Sequence, residues 1–263
     1  MQIGIIGTGA IGSFVLRELT QRGLALRALL VRPSRVAEMT ERHPEMVCVS
    51  TVSDLPDNVD LIIDCAGQQA LKDYGSDILR RGIDLVTVSI GALADPALYD
   101  DLQAAAKAGR ATLHLASGAI GALDALRAAR TGSLESVTYV GRKPPDGWEG
   151  SPAEEQLDLE NMGSTAVTHF SGSARDAALT YPKNANVAAA VALAGLGLDE
   201  TDVQLIADPT IDQNVHEVVA KGDFGAFSFE IRGNALPHNP RSSALAAMSA
   251  VATVAQLAQP LRF

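Results

Sequence analysis

Gly7-Thr-Gly-Ala-Ile-Gly12 is the stretch on which the reading of this chain turns. It follows directly on an apolar run at residues 2–6. It opens a segment, 10–22, in which Ile11, Val15 and Leu19 recur at helical spacing until Gly23 stops it. A second apolar strand is expected at 26–31. Three glycines alone would define only a turn; strand, glycine turn, helix and strand in this order are what a dinucleotide-binding βαβ unit needs. Gly7 permits the tight turn, Gly9 has no side chain to obstruct a pyrophosphate, and Gly12 lets the helix approach the sheet. Ala10 and Ile11 begin the helix, where unpaired N–H groups and the positive dipole end face a phosphate.

Outward from this unit the same rhythm continues. Strands fit 46–49, 61–65, 85–90 and 112–115, with helices at 68–81 and 96–108; Asp95 caps the latter and Pro96 takes its first position. The rhythm changes after about Gly132. Alternating or turn-bounded strands fit 133–142, 202–207, 214–221 and 226–232, with helical stretches near 174–179 and 186–196 and an Ala-rich helix at 243–257. The expected fold is α/β: a Rossmann-type doubly wound parallel sheet (1–116) followed by an α+β substrate and dimerisation domain (117–240). The C-terminal helix (241–263) is expected to pack back on the first domain.

Composition narrows the function classes. A chain of 263 residues with 47% hydrophobic and 20% charged residues folds rather than staying disordered. A net charge of -10 without any Lys/Arg run speaks against nucleic acid or an anionic membrane surface as partner. No apolar run is long enough to cross a bilayer, and the first residues enter a strand rather than an export signal. Cys48 and Cys65 read as free thiols of a reducing cytoplasm, without a CxxC pattern. No His/Cys/Asp grouping has metal-ligand spacing, so no metal is expected.

The end of the second strand normally carries an acid for the ribose of NAD. Here it reads Val31-Arg-Pro-Ser-Arg35, with Arg32, Ser34 and Arg35 suited to the 2′-phosphate of NADP. Two solvated loop arginines are the plainer alternative. Among the five histidines, His43 reads as surface and His114 as structural. His169 and His238 stay open beside turns. His216, on a strand of the second domain, shares a face with Asn214 and Val218. As an imidazole it is suited to proton transfer near neutral pH, and an ordinary hydrogen-bonded strand histidine is the alternative.

The chain resembles the L-aspartate dehydrogenase family, related in fold to dihydrodipicolinate reductase and homoserine dehydrogenase. The matching segments span almost the whole chain: Gly4-Ile-Ile-Gly-Thr-Gly-Ala-Ile-Gly12, Asp64-Cys-Ala-Gly-Gln68, Val88-Ser-Ile-Gly-Ala-Leu-Ala-Asp95 and Ser117-Gly-Ala-Ile-Gly-Ala-Leu-Asp124, then Arg142-Lys-Pro-Pro145, Tyr181-Pro-Lys-Asn-Ala-Asn-Val187, Asn214-Val-His216 and Asn239-Pro-Arg-Ser-Ser-Ala-Leu245. The resemblance implies NAD- or NADP-dependent oxidation of L-aspartate to iminosuccinate, which hydrolyses to oxaloacetate and ammonia or feeds NAD biosynthesis. It also implies a homodimer. It places the active-site histidine on His216, expected to serve as general base or water activator, and further cofactor contacts on Ala119 and Asn186; Cys65 and Ala66 are also expected to contact the cofactor. A dicarboxylate substrate needs cations, for which Lys143, Arg175 and Lys183 are the candidates; each is equally readable as a surface side chain. Two other functions stay open at this point. One is a related imine or amino-acid reductase, and the other a dinucleotide-sensing protein without turnover.

Overall fold

Strand β1 (Gln2–Ile6) lies inside a parallel sheet, and its Ile-rich sequence is what burial on both faces selects. The structure is a computed structural model that describes residues 1–236 and 239–261. His238, one of the open histidines, lies outside the described residues. Around β1 the first unit is built from α1 (Ala10–Gln21), β2 (Ala25–Leu30), α2 (Val36–Arg42), β3 (Val47–Val49), β4 (Leu61–Asp64), α3 (Gln68–Arg80), β5 (Asp84–Thr87), α4 (Pro96–Gly109) and β6 (Leu113–Leu115). All its strand pairings are parallel, in the order β3-β2-β1-β4-β5-β6. This is the doubly wound order, and it opens a crevice beyond the carboxyl ends of β1 and β4, where the strand order reverses.

The core of this unit joins Ile3, Ile5, Leu29 and Ile63 of the sheet to Val15 and Leu19 of α1. Each such aliphatic side chain stabilises the fold by about 1.5–3 kcal/mol when fully buried. Asp95 caps α4, its carboxylate accepting from Ala97 N at 3.1 Å, with Pro96 in the first helical position. The strand expected over 85–90 ends at Thr87. The following Ile90–Ala94 forms a buried 3-10 turn that groups with the second unit rather than the first.

The second unit comprises Ile90–Ala94 and Ser117–Leu245. It contains α5 (Leu123–Ala129), β7 (Leu134–Lys143), β8 (Val167–Ser173), α6 (Ala174–Thr180), α7 (Asn186–Ala194), β9 (Asp202–Ala207), β10 (Asn214–Gly222), β11 (Gly225–Gly233), β12 (Ala235–Leu236) and β13 (Asn239–Ser243). Five strands form a mixed sheet in the order β11-β10-β7-β9-β8, parallel only between β7 and β9. Helix α7 is apolar nearly all round (Val187 to Val191 are all buried), and its alanines allow close approach of neighbouring backbones. The last helix, α8 (Ala244–Leu257), belongs from Ala246 onward to the first unit, where Ala250, Val251 and Val254 join the core beside β1.

Candidate active site

In the first unit a groove of about 430 Å³ opens at the crevice beyond β1 and β4. Gly7, Thr8, Gly9, Val31, Arg32, Arg35, Cys65 and Ala66 are among its lining residues. Gly7 has a φ of +84°, and a Cβ there would lie 2.8 Å from that of Ala66, so only glycine lets the two loops meet. At Gly12 a Cβ would run into the Gly7 carbonyl, so this glycine is required by helix packing. Gly9 differs: nothing lies within 4 Å of where its Cβ would be. The missing side chain leaves space that the fold itself does not use. No side chain caps the first turn of α1 at Gly9. Open space above uncapped helix N–H groups fits a pyrophosphate. Ala10 and Ile11 form the first helical turn beside it.

The wall on the β4 side is held by Asp64, which is fully buried. Its carboxylate accepts from Ala66 N at 3.0 Å and from Thr87 Oγ1 at 2.8 Å. Burial raises its pKa against these hydrogen bonds. Asp64 thereby fixes the Cys65–Ala66 loop, and burial pushes the Cys65 thiol well above its ordinary range, so it packs as a neutral group.

The two arginines are not equivalent. Arg32 is exposed and enters no ion pair among the described residues. Arg35 is half-buried, with its Nε 2.6 Å from Glu38 Oε2, and Glu38 also meets Arg42 at 3.2 Å.

The second unit gathers a different set of groups. Tyr139 and Lys143 lie on one face of β7. His216 of β10 pairs in register with Gly141 between them. Tyr139 Oη and His216 Nδ1 are 2.8 Å apart, both residues buried. A Cβ at Gly141 would stand 2.7 Å from Tyr139 Oη, so glycine is what admits this bond. Burial, and then the nearby Lys143 charge, lowers the His216 pKa to about 4, so the ring is neutral at pH 7. The Tyr139 hydroxyl is fully buried and its pKa is raised by burial, so it keeps its proton. His216 Nδ1 is its partner, and the ring tautomer decides which of the two donates. With the hydroxyl as donor, the ring proton sits on Nε2.

Lys143 Nζ donates to Asn184 Oδ1 at 3.0 Å and sits 4.8 Å from the centre of the Trp148 ring. The ion pairs of this unit among the described residues are Arg142–Asp208, Arg175–Asp199 and Arg232–Glu230; Lys143 is in none of them. The residue is half-buried, and desolvation of its ammonium lowers its pKa to about 8. His169 meets Trp148 edge-on, its Nδ1 lies 3.2 Å from Tyr181 Oη, and its buried Nε2 has no partner among the described residues. Its pKa is lowered to about 4, by burial first and then by Lys143.

The structure thus brings Lys143 and His216 together and adds Tyr139, Asn184, Trp148 and His169 to them. Arg175 is not part of this set. Its Nε and Nη2 hold both oxygens of Asp199 at 2.5 and 2.8 Å, and its Nη1 donates to the Ala94 carbonyl. A guanidinium so engaged ties this part of the unit together and is not free for a substrate in this arrangement. Lys183 is exposed beside Asn184. Asn186 opens α7 and accepts from Gly91 N at 2.9 Å, anchoring the 90–94 turn. Ala119 is buried in a turn that Gly118 makes with a φ of +71°.

A doubly wound nucleotide unit followed by a mixed-sheet unit with a buried Tyr–His pair and an enclosed lysine defines a class, the two-domain nicotinamide-dependent oxidoreductases. Residues 7–116 match the family model of the homoserine dehydrogenase NAD-binding domain, and residues 124–257 that of the aspartate dehydrogenase C-terminal domain. The chain is 50% identical over 263 residues to the L-aspartate dehydrogenase of Ruegeria pomeroyi, covering all of this chain and 94% of the relative. It is 46% identical to that of Pseudomonas aeruginosa, covering 95% of each. The crystal structure of aspartate dehydrogenase from Thermotoga maritima superposes with a TM-score of 0.75 at 25% identity, over 100% of this chain and 99% of the other. The chain belongs to the L-aspartate dehydrogenase family.

Proposed function

We propose that this protein oxidises L-aspartate to iminosuccinate with NADP or NAD as hydride acceptor, the imine then hydrolysing to oxaloacetate and ammonia or entering NAD biosynthesis. The observation that carries the reading is the enclosed Lys143 ammonium. It lies beside His216 and, among the described residues, has no carboxylate paired with it in a chain of net charge -10. Such a centre attracts an anionic substrate.

Gly7, Gly9, Ala10, Ile11 and Gly12 would take the pyrophosphate, Cys65 and Ala66 the opposite wall, and Arg32 with Arg35 a 2′-phosphate. Ala119 and Asn186 are the cofactor contacts assigned to the second unit. When bound, the oxidised nicotinamide accepts the hydrogen of Cα with its electron pair. His216 is the catalytic histidine, offering its Nε2–H to the substrate. Lys143 in its charged form draws the dicarboxylate toward the site, with Lys183 at its margin. The active form is a homodimer working in the cytoplasm, and sedimentation of the purified protein tests the assembly. Reduced-cofactor absorbance with L-aspartate tests the activity; turnover of L-malate at an equal or higher rate would move the enzyme to the hydroxy-acid class.

A further inference from the structure

Oxidising an amino acid at Cα first requires its ammonium to lose a proton, because only a nitrogen with a free electron pair can form the imine. The site must therefore hold a base within reach of the substrate nitrogen. His216 is the residue the sequence offers for this task, and its surroundings argue against it. The Tyr139 hydroxyl occupies Nδ1, and with the hydroxyl as donor it is Nε2 that carries the ring proton. An imidazole in that state donates at Nε2 and accepts nothing there. His169 is tied to Tyr181 through the same nitrogen, at 3.2 Å.

We propose that the Lys143 amine, and not the His216 imidazole, takes the proton from the substrate's α-ammonium. This rests on the amino-acid-oxidising reading above. The ammonium N–H bond breaks, an Nζ–H bond forms, and the substrate nitrogen keeps the pair. That pair becomes the second bond of C=N as the Cα–H pair leaves with its hydrogen for the oxidised nicotinamide.

The geometry supports the assignment in three ways. Lys143 shares its sheet face with Tyr139 and, across the Gly141 register position, with His216, so amine and imidazole sit at one centre. Among the described residues its hydrogen bond is donated to the Asn184 amide oxygen, a neutral partner that holds the amine in place without locking it in the charged form. The groups facing it from neighbouring elements are His216 on β10, His169 on β8, Trp148 and Asn184, and both imidazoles are neutral at pH 7. Desolvation, with no carboxylate paired to it among the described residues, lets the amine give up its own proton near pH 8.

The test compares Lys143→Arg and Lys143→Ala with the wild type on L-aspartate. Arginine keeps a positive charge that can hold a carboxylate but does not deprotonate. If Lys143 is the base, Lys143→Arg loses about a hundredfold or more in kcat, the usual scale for a lost proton acceptor. The wild-type fall of kcat/KM below about pH 8 disappears with it. Added methylamine restores Lys143→Ala in proportion to its neutral form, while guanidine does not. Binding of reduced cofactor, followed by fluorescence, stays unchanged in both variants. Lys143→Arg with at least a third of wild-type kcat, or Lys143→Ala indifferent to methylamine, overturns the proposal and leaves Lys143 a fixed charge. A wild type inactive on L-aspartate overturns the substrate reading instead.

Discussion

Removing Arg32 separates the two cofactors. The groove wall after β2 carries no acid at the position that would bind a ribose hydroxyl, and Arg32 is an exposed cation there with no ion pair among the described residues. A phosphate hydrogen-bonded to a guanidinium gains about 1.5–3 kcal/mol. Exposure and salt reduce this to about 1.4 kcal/mol, which is tenfold in binding. Arg35 offers less, because Glu38 lies 2.6 Å from its Nε and neutralises part of its charge. We expect Arg32→Ala to raise KM for NADP about tenfold and Arg35→Ala about threefold, with KM for NAD changing less than about twofold in either. Glu38→Gln should act the other way and lower KM for NADP, since it releases Arg35. The assay is initial-rate kinetics with both cofactors at saturating L-aspartate. Wild type strongly preferring NAD, together with variants that leave the NADP-to-NAD ratio unchanged, would show that these arginines are solvated loop residues.

Other outcomes follow from the two units separately. Gly9→Ala should fold normally yet weaken cofactor binding severalfold, whereas Gly12→Ala should lower the melting temperature, because its Cβ meets the Gly7 backbone; fluorescence titration and thermal melts distinguish the two. His216→Ala should lower kcat by about a hundredfold, the scale of losing one placed donor, with cofactor affinity unchanged. Near-normal turnover would instead direct attention to His169. His169 and His216 titrate near 4 when folded against 6.5 when free, so the unfolded chain binds more protons between those values. Stability should therefore fall as pH drops from 6.5 to 4. At 1.36 kcal/mol per unit the loss is about 3 kcal/mol for each histidine, and urea melts at the two ends of the window measure it. Tyr139→Phe removes the bond that fixes the His216 ring and should reduce kcat about tenfold, with a stability loss of about 1 kcal/mol.

Much of the first unit was legible in the sequence because its signals are local. Glycine spacing, the Ile11/Val15/Leu19 stripe and the Asp95-Pro96 cap each act within a few residues. Strand β8 was not legible. Val167–Ser173 lacks a clean alternation, and its pairing with β9 breaks between Thr168 and Phe170, so that His169 is an extra residue in a bulge. That bulge accompanies the turn of the histidine toward Trp148 and Tyr181, which no spacing in the sequence reveals. Tyr139 could have been found. It alternates with Gly141 and Lys143 on one strand, and a small residue opposite a histidine marks a place where side chains converge. The engagement of Arg175 was not legible, because its partner Asp199 lies 24 residues away and only the fold brings them together. Lys143 was readable as a cation, but its enclosure and lack of a carboxylate are tertiary facts.

The measurement that bears most directly on the account is the rate of cofactor reduction by the purified protein with L-aspartate, L-glutamate, L-malate and D-aspartate, each with NAD and NADP. L-Aspartate should be oxidised far faster than the other three, with NADP used at least as well as NAD. Reduction driven equally well by L-malate, or bound cofactor that no amino acid reduces, would contradict it.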